Sequence, residues 1–222
     1  MTLSRWKSVA LIGGLLLSAP SVFALAVKHD SVAAKGCLNI VSLSQAESAL
    51  ARFNLTTENA KESEIRALGT GLMWIEDLNG DRPLAMAKGP GSRPYPFIFK
   101  NNGKNSRQTG SGIEIARQGA KQFGSNVAQL VHELGHLVGN QGAYAMYRQQ
   151  VGSAPCVVSG YSDDKFNEQF AEVFAAFVTK PELIAESKSA ACKKAFKFFS
   201  QTLFATGERA RQCKNNDGIL DQ

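Results

Sequence analysis

The sequence lacks any apolar run long enough to cross a membrane. The longest such run, residues 9–17, is nine residues long, whereas a transmembrane helix needs about 20. Internal repeats and low-complexity segments are also missing, and the 44% hydrophobic and 20% charged residues are typical of a globular protein. These absences exclude a multi-pass membrane protein, a collagen, a coiled coil and a low-complexity tail. A length of 222 residues favours one domain.

The first 26 residues have the three parts of a secretory signal peptide. Arg5 and Lys7 precede the short apolar run, and small residues follow it at Ala24 and Ala26. We therefore predict a signal peptide over residues 1–26 and a single domain over residues 27–222. An uncleaved membrane anchor is the less favoured alternative. The mature chain should be an exported monomer, secreted or periplasmic, with no membrane span.

Cysteine is scarce, and no two of the four cysteines are spaced as CxxC. This absence argues against a cysteine-ligated zinc site and against a thioredoxin-type motif. An even count in an exported chain suggests two disulfides, and four cysteines allow three pairings. We expect Cys192–Cys213 with Cys37–Cys156, because this pairing ties the tail to a C-terminal helix and the N-terminus to the body.

The excess of positive charge is small and mostly scattered. The formal charge is +6, with one cluster of lysines at positions 188, 193, 194 and 197. Helical spacing puts these lysines opposite Phe196, Phe199 and Leu203, which is typical of a solvated helix face. We therefore do not expect a nucleic-acid partner.

Helical and strand patterns alternate in no regular order. The patterns predict helices over residues 42–53 (capped by Ser44), 58–68 (ended by Gly69 and Gly71), 125–138 and 166–177, and strands over 72–76, 84–87, 97–99 and 112–116. Residues 88–96 and 101–110 are expected to be loops. Helices around a small sheet favour an α+β fold over a βαβ alternation.

The chain has only three histidines, and two of them belong to one motif. His132 and His136 belong to HELGH, an HExxH sequence within the predicted helix over residues 125–138. Positions four apart on a helix face the same way, so both imidazoles can bind one zinc ion. Glu133 lies beside the first ligand, where it can act as general base. The alternative is that these two histidines lie on the surface at a polar helix end and bind no metal.

A catalytic zinc needs a third protein ligand. A third histidine in the pattern HExxHxxGxxH would fall at position 142, which is Gly142, and no motif supports His29. The ligand should therefore be a carboxylate, and Glu168 and Glu172 lie four apart beside the apolar stripe of a later helix. We choose Glu168 as ligand and Glu172 as the hydrogen-bond partner of a zinc histidine; the reverse assignment is the runner-up.

The combination of HELGH and the later helix NEQFAEVFAAF resembles the glutamate-zincins, in particular the anthrax lethal factor-like and Pro-Pro endopeptidase family. The resemblance covers roughly residues 112–183. It implies a zincin-like α+β fold with a small mixed sheet, an active-site helix and a C-terminal helical part. In that family a tyrosine precedes the glutamate ligand by seven residues, and here that position is Tyr161. By resemblance, Tyr161 would stabilise the oxyanion of the reaction.

Together these features predict an exported zinc-dependent endopeptidase that acts on a peptide or protein. Ile113, Glu114 and Ile115 would form an edge strand to which an extended peptide adds; an ordinary sheet strand is the alternative. The competing interpretation is a zincin fold that binds a partner or the cell envelope without cutting peptides.

Overall fold

The structure is a computed structural model, and it describes residues 40–103, 105–117, 126–158 and 165–204. The predicted signal peptide, Tyr161 and Ser125, the first residue of the helix predicted over residues 125–138, lie outside the described residues. The helices are α1 (Leu43–Arg52), α2 (Glu62–Leu78), α3 (Asn126–Val138), α4 (Tyr144–Val151), α5 (Phe166–Thr179), α6 (Glu182–Ala185) and α7 (Ala190–Phe198). The strands are β1 (Leu55–Glu58), β2 (Tyr95–Lys100), β3 (Arg107–Thr109) and β4 (Gly112–Ala116). Helices with a small mixed sheet confirm the α+β class.

The N-terminal cap of the first helix, Ser42, lies two residues before the predicted cap. Ser42 accepts a hydrogen bond from the backbone N–H of Gln45, and the Gln45 side chain accepts one from the backbone N–H of Ser42. This reciprocal pair satisfies two N–H groups that the first helical turn leaves without partners. The prediction of Ser44 as the cap is therefore wrong.

Helix α2 runs through the two glycines that were expected to end a helix. A Cβ on Gly69 would lie 2.3 Å from the Ala46 Cβ, and one on Gly71 would lie 2.6 Å from Val131. The two glycines therefore let α1 and α3 each pack closely against α2. The strand predicted over residues 72–76 is wrong, because this short apolar run is the buried face of a long helix, and periodicity alone does not distinguish the two.

The sheet has the order β1-β2-β4-β3, with β1, β2 and β4 parallel and β3 antiparallel at one end. Strand β4 therefore lies inside the sheet, and the prediction that residues 112–116 form an edge for peptide binding is wrong. Ile113 and Ile115 are buried in the core. Glu114 instead forms ion pairs with Lys100 and Arg107.

Two further local predictions are wrong near the sheet. Residues 85–87 form a single 3₁₀ turn (Ala85–Ala87) rather than a return strand. Strand β1 follows the first predicted helix and includes Glu58, which was expected to begin the second, and β3 lies in the segment expected to be a loop. Strands of three or four residues have too few positions to show an alternation.

Helix α3 packs closely against α5, and a glycine of the HELGH motif allows this contact. A Cβ on Gly135 would lie 3.0 Å from the Ala171 Cα on α5. Three phenylalanines of α5 pack on Phe199 at ring-centroid distances of 5.4–6.0 Å: Phe170, Phe174 and Phe177. The contact between α3 and α5 therefore sits on a rigid aromatic core, which fixes the two helices relative to each other.

The disulfide in the described residues joins Cys156 to Cys192. The expected pairing of these two cysteines with Cys37 and Cys213 is therefore wrong. Helix α4 packs against α7, so the chain just beyond α4 comes to the first turn of α7, with the Cα atoms of Cys156 and Cys192 4.6 Å apart. Cys37 and Cys213 lie outside the described residues.

None of the helices in the described ranges is long and apolar enough to cross a membrane. The exposed lysines of α7 (Lys193, Lys194 and Lys197) lie opposite the buried Ala195 and Phe198. The expected solvated face of this helix is thus present.

Candidate metal centre

The two imidazoles of HELGH lie side by side on α3. Val127, Val131, Leu134 and Val138 bury one face of this helix, and the histidines lie one turn apart next to it. The ring centroids are 4.8 Å apart and the rings are nearly perpendicular, at 84°. The two Nε2 atoms are 3.1 Å apart. Both imidazoles therefore present the same nitrogen to one point.

Glu168, in the first turn of α5, brings a carboxylate to the same point. Its Oε2 lies 3.2 Å from His132 Nε2 and 3.3 Å from His136 Nε2. Ligand atoms that surround one zinc ion tetrahedrally at about 2.0–2.1 Å are themselves about 3.3 Å apart. The three side chains therefore form a group that could hold a metal ion, and their spacing fits zinc.

The electrostatics of the group favour the protonation states that bind metal. Hydrogen bonds from His132 and His136 outweigh desolvation and hold the pKa of Glu168 far below its usual range. Burial lowers the pKa of His132 in spite of the adjacent carboxylate. A neutral imidazole and an ionised carboxylate are the forms in which these residues are ligands.

Glu133 is a buried carboxylate beside this group. It is 4% exposed, and its Oε2 has no hydrogen-bond partner among the described residues. Desolvation raises the pKa of Glu133 to about 7, although His136 acts in the opposite direction. A carboxylate with a pKa near neutrality can accept a proton and release it again under physiological conditions.

A serine that the sequence did not suggest contacts this carboxylate. Ser106 Oγ lies 3.0 Å from the backbone N–H of Ala116 and 3.2 Å from Gln129 Nε2, and it accepts from both. The Ser106 hydroxyl also lowers the pKa of Glu133, against the effect of burial. Because the two incoming donors occupy the hydroxyl lone pairs, the hydroxyl proton is left for Glu133. Ser106 lies in the segment expected to be a loop, where no motif distinguishes it.

The Nδ1 atoms of the two histidines, which point away from Glu168, have different neighbours. The Nδ1 of His136 lies 2.8 Å from the hydroxyl of Tyr144, a residue that sequence analysis missed. The Nδ1 of His132 lies 3.9 Å from Glu172 Oε1, and the Glu172 side chain is 5% exposed. The structure thus places Glu168 on the ligand side of the imidazoles and Glu172 on the opposite side of His132.

Among the described residues, the predicted substrate-binding residues Ile113, Glu114 and Ile115 are not part of this group. Ile113 and Ile115 are core side chains, and Glu114 is paired within the sheet. Gly142, where the three-histidine pattern would place a ligand, has φ 118° and turns the chain from α3 into α4.

Comparison of the chain with protein-family models, with curated proteins and with solved structures gives no match. The chemistry of the site is therefore the main guide to the function of the protein.

Proposed function

We propose that the protein is an exported zinc-dependent endopeptidase. The observation that carries the proposal is the convergence of three ligand atoms, with spacings of 3.1–3.3 Å, beside a buried carboxylate. The resemblance of HELGH and NEQFAEVFAAF to the glutamate-zincins of the lethal factor-like group supports the same function. The amino-terminal signal pattern and the disulfide support export.

Zinc is the metal we propose, because the ligands are two imidazoles and one carboxylate. Catalytic zinc sites have three protein ligands and an open position, whereas structural sites have four protein ligands. When bound, zinc would supply Lewis-acid activation of water and of the substrate carbonyl. His132, His136 and Glu168 would hold it.

Glu133 would be the general base. Its carboxylate would take the proton of the attacking water and then deliver it to the nitrogen of the leaving amine. The hydrogen bond from Ser106 would orient one carboxylate oxygen and leave Oε2 to accept this proton. By the family resemblance, Tyr161 would donate a hydrogen bond to the oxyanion that forms on the substrate carbonyl.

The substrate would lie along β3. This strand is the antiparallel end of the sheet and contacts helix α3, which carries the metal group. An extended peptide can add to such an edge by main-chain hydrogen bonds. Methylation of successive backbone nitrogens of a peptide substrate should then raise KM at alternate positions.

A digestion experiment tests the proposal. The wild-type protein, Glu133→Gln and a chelator-treated sample are incubated with a mixed peptide library, and new termini are identified by mass spectrometry. We expect cleavage by the zinc-loaded wild type only, with bound zinc retained in Glu133→Gln and kcat lower by about 10²–10⁴ or more. A zinc-loaded wild type that leaves the library intact would favour the silent binding protein instead.

A further inference from the structure

The chain reverses sharply after the second histidine and brings a tyrosine back to it. Residues Gly139–Ala143 form a single wide turn, in which Gly142 has a positive φ that favours glycine. Helix α4 then begins at Tyr144. A Cβ on Gly139 would lie 2.2 Å from the Tyr144 ring. Gly139 therefore leaves the space that the tyrosine ring occupies.

The polarity of the resulting hydrogen bond follows from the direction of the imidazole. His136 Nε2 faces Glu168 Oε2 at 3.3 Å, which is the direction of the metal. A neutral imidazole that ligates through Nε2 carries its proton on Nδ1. The Tyr144 hydroxyl oxygen, 2.8 Å from Nδ1, would therefore accept a hydrogen bond from this N–H and stabilise the tautomer that binds metal.

The tyrosine ring also contacts the helix that supplies the third ligand. It packs edge-on against Phe170 at 5.0 Å and Phe166 at 6.2 Å, both on α5. One side chain thus contacts a ligand of α3 and the α5 residues on either side of Glu168. It can hold the His136 ring at a fixed orientation relative to the carboxylate.

We propose that Tyr144 is a positioning residue that sets the tautomer and ring orientation of His136 for metal binding. The inference rests on the proposed zinc site, and it adds a residue that neither the motif nor the family resemblance indicates. Outer partners of this kind typically change metal affinity by about 10–100-fold when they are removed.

The test compares two tyrosines of the same helix. Tyr147 is one turn from Tyr144 and packs on the same Phe166 and Phe170, so Tyr147→Phe controls for the loss of a buried hydroxyl. Zinc affinity is measured on the purified proteins by competition with a chelating dye. We expect Tyr144→Phe to bind zinc about 10–100-fold more weakly than wild type and Tyr147→Phe to bind as wild type does.

A second variant keeps the hydroxyl and displaces it. Gly139→Ala places a methyl group against the Tyr144 ring, so we expect it also to weaken zinc binding. Proton NMR of the zinc-loaded wild type should in addition show a slowly exchanging His136 Nδ1–H that is lost in both variants, and this readout holds even if a variant is less stable.

The outcomes separate this inference from the proposed function. Equal zinc affinity in wild type and Tyr144→Phe, or no protected imidazole proton in the wild type, overturns the role of Tyr144 alone. A wild-type protein that binds no zinc overturns both. Zinc binding without peptide hydrolysis overturns the endopeptidase and leaves the role of Tyr144 supported by the affinity difference.

Discussion

The described part of the chain contains two groups of buried or half-buried carboxylates, and their charges are compensated in different ways. In the region of α1, α2 and the sheet, each has an arginine: Glu64 accepts from Arg117 at 2.6 and 2.9 Å, and Glu76 accepts from Arg52 at 2.6 Å. Between α3 and α5, the Glu168 carboxylate contacts two imidazoles, and Glu133 lies near a neutral serine hydroxyl that lowers its pKa.

This difference separates carboxylates that stabilise the fold from those that are available for chemistry. A bidentate arginine keeps a carboxylate ionised and occupied, so that it cannot readily bind a metal or transfer a proton. A carboxylate without a cationic side chain is costly to bury unless a metal ion compensates it. The comparison therefore predicts different effects for isosteric Glu→Gln changes in the two regions.

The largest effect is expected at Glu168. Glu168→Gln removes a charged ligand, and we expect it to abolish stoichiometric zinc binding. Glu172→Gln should weaken zinc binding by about 10–100-fold, as expected for a residue behind a ligand. Zinc content after dialysis measures both. The reverse order of effects would mean that Glu172 is the ligand.

The next effect concerns the stability of metal-free protein at different pH. Burial raises the pKa of Glu133 to about 7 from 4.5, so its ionisation opposes folding. The stability of chelator-treated wild type, relative to Glu133→Gln, should be highest below about pH 4.5 and should fall as pH rises through about 7. The total difference is about 3 kcal/mol.

Urea unfolding at pH 5 and pH 8.5 measures this dependence. Most of the fall should occur between these two values. A difference between the two proteins that does not change with pH would show that Glu133 is solvated in the metal-free state.

A smaller effect on stability, with no effect on zinc, is expected at Glu64. Glu64→Gln leaves the Arg117 guanidinium without its carboxylate, which should lower the free energy of unfolding by about 1–3 kcal/mol. Urea unfolding gives this value, and dye competition gives the zinc affinity. A change in zinc affinity would show that the two groups of carboxylates are coupled.

The smallest effect is expected at Glu114. Its ion pairs with Lys100 and Arg107 lie on the solvent-exposed side of the sheet, where such pairs contribute little. Glu114→Gln should therefore leave both zinc affinity and peptide hydrolysis as in wild type, in the same assays. A higher KM for Glu114→Gln than for wild type would instead show that the substrate contacts this position.

Two of the candidate metal ligands could be predicted because their pairing depends on spacing within one helix. His132 and His136 are one turn apart in any helix that contains HELGH. Glu168 follows from the need for a third ligand and from its place beside an apolar stripe. Tyr144 and Ser106 could not be predicted in this way, because a turn at Gly142 and a sheet segment bring them to the site from outside these helices.

The errors in the fold have the same origin. The apolar run at residues 72–76 suits a strand or a buried helix equally, and packing of Gly71 against Val131 decides for the helix. The position of β4 inside the sheet depends on β3, a three-residue strand with no sequence pattern of its own. The pairing of Cys156 with Cys192 depends on the packing of α4 against α7.

By itself, the order of residues determined which side chains lie together on one helix. It therefore determined the two imidazoles that could hold a metal ion, the adjacent carboxylate and the candidates for a third ligand. Helical periodicity is a local property of the backbone, so a segment of about a dozen residues is enough to recognise it. Only the tertiary structure decided which strand ends the sheet, which cysteines meet and which groups stand behind the ligands. Those contacts join segments that are distant in the chain, and their free energies depend on how whole elements pack.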